Sequence, residues 1–270
     1  MDNISNFVEL NKSNKIWAIG SIHSNLSSFS SIKKYILNNF DKNDKLIFLG
    51  NIIGLGDNSK ETLSSVINLR FKLMSKFKLK PDTIVFLRGA QEEMFSKLLQ
   101  LQLAPNPTEI VDWIFEHGVN KTINSYGYSE DEVKNIASSG TIKISKWTKT
   151  LNNTLQMHSG HSEYFLNLKH AAYSHSKKVL FVNRGVDITR PLSAQNDCFW
   201  WGFQNFSSIN IPYKTFSRIV RGYESEHLNH QEISKNDIVC TLFKQPLSNK
   251  SVLCGIFGEN GEILDLIENK

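Results

Sequence analysis

Residues 46–57 read LIFLGNIIGLGD, and this stretch decides the fold that we expect. Four apolar residues come first without a polar break, which predicts a strand buried on both faces. Gly50, Gly54 and Gly56 follow and predict a turn in which backbone segments approach each other closely. Proteins with α/β folds build their sites on such loops at the carboxyl ends of strands, so we look for function here.

Two further stretches repeat this plan. Residues 16–24 read IWAIGSIHS and residues 83–93 read TIVFLRGAQEE. Each is an apolar strand, then a glycine, then a short polar loop that runs into a helical pattern. The recurrence predicts a parallel arrangement in which loop 1 (residues 20–24), loop 2 (residues 50–57) and loop 3 (residues 88–93) converge at one edge.

Composition indicates an ordinary globular protein. The chain has 270 residues, of which 40% are hydrophobic and 21% charged, enough for one domain with a sizeable core. The net charge of +5 is spread along the chain without a basic block. We interpret most lysines as solvated surface residues, and a nucleic-acid surface is the less favoured interpretation.

The cysteines and the apolar runs bear on where the protein works. Cys198, Cys240 and Cys254 show no CxxC spacing and predict reduced core residues. The first residues lack a signal pattern, and no run approaches the roughly 18 apolar residues that a membrane span requires. We therefore expect a soluble intracellular protein without a membrane span, in a reducing compartment such as the cytoplasm or an organelle matrix.

The sequences of the three loops resemble a known family. GSIHS, GNIIGLG and RGAQE resemble motifs of the calcineurin-like metallophosphoesterases, which read GDxHG, GDxxDRG and RGNHE. The likeness is closest to the phosphoprotein phosphatase branch, which also holds symmetrical diadenosine tetraphosphatases. It implies a four-layer α/β/β/α sandwich, a single domain over residues 1–270, and a helical insert over about 92–176 beside the site.

The resemblance also implies a two-metal site, and most of its ligands are replaced in this sequence. The aspartate of the first motif falls on Ser21, and its histidine is retained as His23. The aspartate that would bridge both metals falls on Asn51, a neutral amide that cannot supply an anionic bridge.

The later motifs have changed in the same way. The asparagine and the general-acid histidine of the third motif fall on Ala90 and Gln91. The last two ligand histidines fall on Asn183 and Tyr223. His23 is the only retained ligand, and we interpret it as a structural histidine, so we expect no metal and no cofactor.

Three arginines are candidates for binding an anion. Arg88 is retained from the third motif, Arg184 replaces an alanine of the family, and Arg221 stands where the family motif VHGHTP has its first histidine. Internal pairing of Arg184 and Arg221 with Glu92, Glu93 or Glu224 is the favoured interpretation, and binding of an external anion is the alternative.

Other ionisable residues are assigned structural roles. His158 and His161, and likewise His227 and His230, lack carboxylate or thiolate partners at site spacing, so we expect both pairs at the surface. Asp57 is expected to cap a turn or helix rather than to replace a lost ligand.

Three classes of function stay open. The favoured one is a catalytically inactive pseudophosphatase that serves as a binding or structural subunit, with a protein partner held by aromatic residues within 112–115 and 198–206. The second is an active phosphoesterase of the protein phosphatase or dinucleoside tetraphosphatase type, with manganese, iron or zinc at an altered site. The third is a metal-free nucleotide or phosphate sensor that uses the three arginines.

Overall fold

A computed structural model describes residues 6–202, 206–223, 238–243 and 251–268 of the chain. Its strands are β1 (Phe7–Glu9), β2 (Ile16–Ile19), β3 (Lys45–Phe48), β4 (Ile84–Phe86), β5 (Ala171–Tyr173), β6 (Val179–Val182), β7 (Arg218–Arg221), β8 (Val239–Thr241), β9 (Leu253–Phe257) and β10 (Ile263–Glu268). Its helices are α1 (Leu26–Asn39), α2 (Ser59–Phe77), α3 (Ala90–Leu98), α4 (Pro107–Glu116), α5 (Val119–Ser125), α6 (Glu130–Ala137), α7 (Thr141–Gln156), α8 (His161–Leu166) and α9 (Cys198–Trp201).

The strands form two mixed sheets of five strands each, as far as the described residues extend. The first sheet has the order β10-β9-β2-β3-β4, and the second has the order β1-β5-β6-β7-β8. Strands β2, β3 and β4 are parallel neighbours, with Ile16 opposite Lys45 and Leu46 opposite Ile84. The three strand-and-loop units therefore lie side by side, and their loops leave the sheet at the same edge.

Side chains along β2, β3 and β4 point alternately to the two faces of the sheet, and both faces are apolar surroundings, so the apolar runs contain no polar residue. In β2, Ile16 and Ala18 face the second sheet, whereas Trp17 and Ile19 face the helices. The layer between the sheets is built by apolar residues of both: Ile47, Leu49, Val85, Leu87, Ala172, Val179, Phe181, Val220 and Cys240. Both faces of the first sheet are thus covered, as the apolar runs predict.

The outer layers differ in thickness. Helices α1 to α8 cover the outer face of the first sheet. In the described residues, the outer face of the second sheet is covered by the four-residue helix α9 and by turns that bring in Phe206 and Tyr213. The four-layer α/β/β/α order is confirmed, with a thin layer on the second sheet.

The helical insert ends earlier than expected. Helices α3 to α8 span residues 90–166, but Ala171–Tyr173 forms β5 rather than helix. This strand pairs with β6 in antiparallel and with β1 in parallel orientation, so sheet formation stops the helical run before residue 176.

The cysteines and helices agree with the sequence patterns. Cys198, Cys240 and Cys254 are buried and free, and burial raises the pKa of the Cys240 thiol to about 12. Within the described part of the chain, every helix is too short or too polar to cross a membrane.

The surface position predicted for His161 is wrong. Its imidazole is fully buried where α8 meets α2 and α5. Its Nδ1 shares a hydrogen bond of 2.6 Å with the Tyr126 hydroxyl, and its Nε2 shares one of 2.9 Å with the Ser64 hydroxyl. His227 and His230 lie outside the described residues.

Burial of His161 makes folding sensitive to acid. Desolvation lowers the pKa of His161 from its ordinary value of 6.5 to about 4. Between these two pH values His161 binds a proton in the unfolded chain but not in the folded chain. The contribution of neutral, buried His161 to the free energy of unfolding is therefore complete above pH 6.5 and is lost as the pH falls toward 4.

We expect His161→Gln to flatten this dependence, because glutamine keeps polar atoms but does not titrate. Between pH 6.5 and 4 the native protein should lose about 2 to 3 kcal/mol more unfolding free energy than the variant, measured by urea unfolding. The matched control is His175→Gln, at an exposed histidine, which should keep the native slope. Equal slopes for His161→Gln and the native protein would contradict the assignment.

Candidate functional site

Loops 1 and 2 are joined by main-chain hydrogen bonds. The backbone N–H groups of Ile22 and His23 donate to the carbonyl of Asn51 at 3.0 and 2.8 Å, and that of Ser24 donates to Ile52 at 2.9 Å. Loop 3 joins them through the backbone N–H of Gln91, which donates to the Asn51 side-chain oxygen at 3.0 Å. The predicted convergence of the three loops is confirmed.

Close approach of loops 2 and 3 explains two of the glycines. Gly50 has a φ of +85°, and a Cβ atom there would lie 2.7 Å from the nitrogen of Gly89. Gly89 in turn faces the backbone of Asn51 at a distance that excludes a side chain. These loops can therefore meet only with glycine at both positions.

Several residues of loops 1 and 2 adopt left-handed backbone conformations. His23, Ser24, Asn51 and Leu55 have φ values of 47°, 62°, 53° and 59°. Such conformations are unfavourable for residues with a side chain and persist where surrounding contacts fix them. The backbone N–H groups of His23, Ser24 and Leu55 donate to the carbonyls of Asn51, Ile52 and Gly118, and that of Asn51 donates to a buried carboxylate.

That carboxylate belongs to Glu92, which is completely buried. One of its oxygens accepts hydrogen bonds from the backbone N–H groups of Asn51 at 2.7 Å and Gly89 at 3.1 Å. The other accepts from the backbone of Ile52 at 2.8 Å and from the Tyr164 hydroxyl at 3.1 Å. Glu92 thus fastens loop 2 to loop 3 and to α8.

The role found for Glu92 differs from the one considered from the sequence. Arginine pairing was the expectation, but its partners are N–H groups and a hydroxyl. Burial raises the pKa of Glu92, and the backbone donors oppose that rise. A glutamate at the third position of a helix commonly accepts a hydrogen bond from the backbone N–H of the N-cap residue, here Gly89, and this signal could have revealed part of the role.

The replaced ligand positions bond to one another. The Asn51 amide nitrogen donates to the Ser21 hydroxyl at 3.3 Å, and its oxygen accepts from the backbone of Gln91. Both ends of the Asn51 amide are therefore used inside the protein. Ser21 and Asn51 are buried, so their hydrogen bonds replace solvent contacts.

The remaining replaced positions are neutral as well. The Gln91 amide donates to the carbonyl of His117 at 2.8 Å, and the Asn183 amide donates to the carbonyl of Leu49 at 2.6 Å. The side-chain oxygens of Gln91 and Asn183 are buried and accept no hydrogen bond from any described residue. Ala90 contributes only a methyl group.

The retained histidine packs among aromatic rings. The side chain of His23 is 3% exposed, and its ring centroid lies 5.1 Å from that of Tyr223 and 6.0 Å from that of Phe243, in edge-on contacts. Tyr223 occupies the position of the last ligand in the resemblance.

This set of donors does not fit a two-metal centre. Such a centre needs several anionic oxygen or imidazole ligands, whereas the converging positions offer one imidazole among amides, hydroxyls and a methyl group. No three His, Cys, Asp or Glu side chains gather into a metal-binding group anywhere in the described ranges. Asp57 does not replace a ligand, because its side chain is 79% exposed and pairs with Lys121 at 2.9 Å.

The three arginines have different surroundings. Arg88 forms an ion pair with Glu93 and lies 5.8 Å from the ring of Trp200. Arg221 is buried, donates to the Thr241 hydroxyl at 2.8 Å and lies 4.1 Å from the ring of Phe206.

Arg184 lies at the rim of the site. It is half-buried, and its guanidinium carbon is 5.8 Å from the ring centroid of Tyr223. Arg88 is half-buried as well, whereas Arg221 is buried. Glu224 lies outside the described residues, so its pairing is not tested.

An aromatic pair stands beside these loops. The side chain of Trp113 is 41% exposed, and its ring lies 5.6 Å from that of Trp201 and 4.5 Å from that of His117. The carbonyl of His117 accepts the hydrogen bond from Gln91, which connects the pair to loop 3.

Solved structures share this architecture. A protein assigned as a diadenosine tetraphosphatase is 12% identical, with 98% of this chain and 99% of that chain covered and a TM-score of 0.53. A protein serine/threonine phosphatase from Saccharomyces cerevisiae, similar to human phosphatase PP5, is 16% identical, with coverages of 98% and 82% and a TM-score of 0.50. No family model and no curated protein matches the sequence. The structural likenesses confirm the predicted fold.

We expect Glu92→Gln to lower the unfolding free energy by about 3 kcal/mol or more, because an amide NH₂ would face backbone N–H donors in a buried place. The matched control is Glu132→Gln, also at the third position of a helix but exposed, which should cost under about 1 kcal/mol. Urea unfolding of both variants measures the difference. Similar small losses in both would show that Glu92 does not hold the loops.

Proposed function

We propose that this chain, whose fold is that of the calcineurin-like metallophosphoesterases, is a catalytically inactive pseudophosphatase that acts as a binding subunit for a protein partner. The backbone of the loops and the chemical groups on them differ in how far they match the family. The loop scaffold is kept, whereas the groups that would bind metal and move protons are replaced.

Asn51 carries the proposal. It occupies the position of the metal-bridging aspartate, and both ends of its amide are engaged with Ser21 and Gln91. A neutral amide already satisfied by the protein gives two dications no shared anionic ligand. The general-acid position is Gln91, whose amide does not titrate and donates to a carbonyl instead.

The other two functions receive less support. An active phosphoesterase would have to hold metal with His23 and neutral groups. A metal-free phosphate sensor would draw on three arginines, but Arg88 pairs with Glu93 and Arg221 is buried against Thr241 and Phe206. Arg184 is half-buried beside Tyr223, which is weak support for recognition of a phosphate.

The surface beside the loops supports a protein partner. Trp113 exposes a large apolar area next to Trp201, and tryptophans of this kind are frequent anchors at interfaces. The net charge of +5 favours an acidic partner surface. Phe199, Trp200 and Phe206 are buried, and Trp201 is half-buried, whereas Phe203 lies outside the described residues.

We expect the purified protein to carry no stoichiometric manganese, iron or zinc by elemental analysis. It should not hydrolyse nitrophenyl phosphate or diadenosine tetraphosphate above the buffer rate, with or without added metal, because the ligands and the general acid are lost together. Metal-dependent hydrolysis that His23→Ala abolishes would overturn the proposal. An activity that survives this substitution marks a contaminant.

We expect Trp113→Ala to release a protein that co-purifies in stoichiometric amount with the tagged chain from its native cell, because truncation removes an interface anchor. The matched control is Ile142→Ala, at an equally apolar exposed residue on α7, which should keep the complex. Size-exclusion chromatography of the gentle lysate provides the readout. Strictly monomeric elution of the native chain would reject the binding-subunit role.

A further inference from the structure

A second concave region lies away from the three loops. A cavity of about 490 Å³ opens between α2, α8 and the edge strands β1 and β4. Its volume falls within the range of pockets that hold small organic ligands, roughly 300 to 1,000 Å³. Its walls are largely apolar and include Ile67, Phe71, Pro81, Ile84 and Phe86.

Arg70 places a cation in the wall of this apolar cavity. The guanidinium carbon of Arg70 lies 5.9 Å from the ring centroid of Phe86. Its Nε is shielded from solvent, and no residue in the described ranges accepts a hydrogen bond from it or pairs with Arg70 in an ion pair. Burial lowers the pKa of Arg70, yet an arginine remains protonated at neutral pH.

Two carboxylates line the same cavity, and neither forms an ion pair with Arg70. Asp82 accepts a hydrogen bond from Asn11 at 2.9 Å in an exposed position. Glu163 is exposed, and Lys169 adds a second cation to the lining. A half-buried guanidinium with an unused donor, among aromatic and aliphatic walls, is costly unless a ligand supplies an acceptor.

We propose that this cavity binds an amphipathic organic anion, a ligand with a compact apolar body and one carboxylate, sulfonate or phosphate group that pairs with Arg70. The apolar body lies against Ile67, Phe71 and Phe86. Arginine suits this role because its planar fork donates two parallel hydrogen bonds to such groups. The assignment is independent of the role proposed for the loops.

The cavity is connected to loop 2 through one wall residue. Tyr164 lines the cavity, and its hydroxyl donates to the carboxylate of Glu92. Glu92 in turn holds Asn51 and Ile52. A ligand in the cavity therefore lies beside Tyr164, which is connected to Asn51 of loop 2 by two successive hydrogen bonds through Glu92.

Fluorescence titration of the full chain with anilinonaphthalene sulfonate tests the site, because this probe joins aromatic rings to one sulfonate. We expect saturable binding at one site, displaced by decanoate but not by decanol at the same concentration. Arg70→Met should weaken binding roughly tenfold or more. The matched control is Lys72→Met, at an exposed cation on α2, which should change affinity by less than about twofold.

A second variant covers the case in which Arg70→Met does not fold, as judged by circular dichroism. Ser159→Trp adds an indole at the exposed rim of the cavity and should abolish binding while the melting temperature is kept. The proposal is overturned if the probe shows no saturable binding, if decanol competes as well as decanoate, or if folded Arg70→Met or Ser159→Trp binds like the native chain.

Discussion

The carboxylate of Glu92 is the interaction on which the loop edge depends. A buried anion is costly unless donors surround it, and here backbone N–H groups of loops 2 and 3 together with the Tyr164 hydroxyl provide them. Because the donors come from separate segments, satisfying the charge requires all of them to be in place. The charge thus fixes the positions of Asn51 and Gly89, whose approach depends on glycine.

Neutral groups at Ser21 and Asn51 suit this arrangement. A second and third carboxylate beside Glu92 would repel each other without a dication between them, whereas the amide of Asn51 and the hydroxyl of Ser21 can bond directly. The left-handed conformations of His23 and Leu55 persist in the same loops. Hydrogen bonds among Ser21, Asn51 and Gln91 therefore maintain the backbone form of these loops with neutral groups at these positions.

The sequence predicted what depends on local pattern. Apolar runs covered on both faces gave β2, β3 and β4, and the glycines after them identified the converging loops. Features that depend on contacts between distant segments of the chain were not predicted from the sequence. The burial of His161 depends on how α8 meets α2 and α5, and the end of the helical insert depends on pairing between β5 and β6. The exposure of Trp113 likewise follows from helix packing, which spacing alone does not fix.

The connection between loops 2 and 3 determines what these loops require in order to fold. Where a metal ion bridges two segments of a protein, folding of those segments depends on the supply of that ion. Here the side chain of Glu92 connects the two loops, so every copy of the chain contains the connecting group. This connection between loops 2 and 3 is therefore complete as soon as these segments of the chain meet.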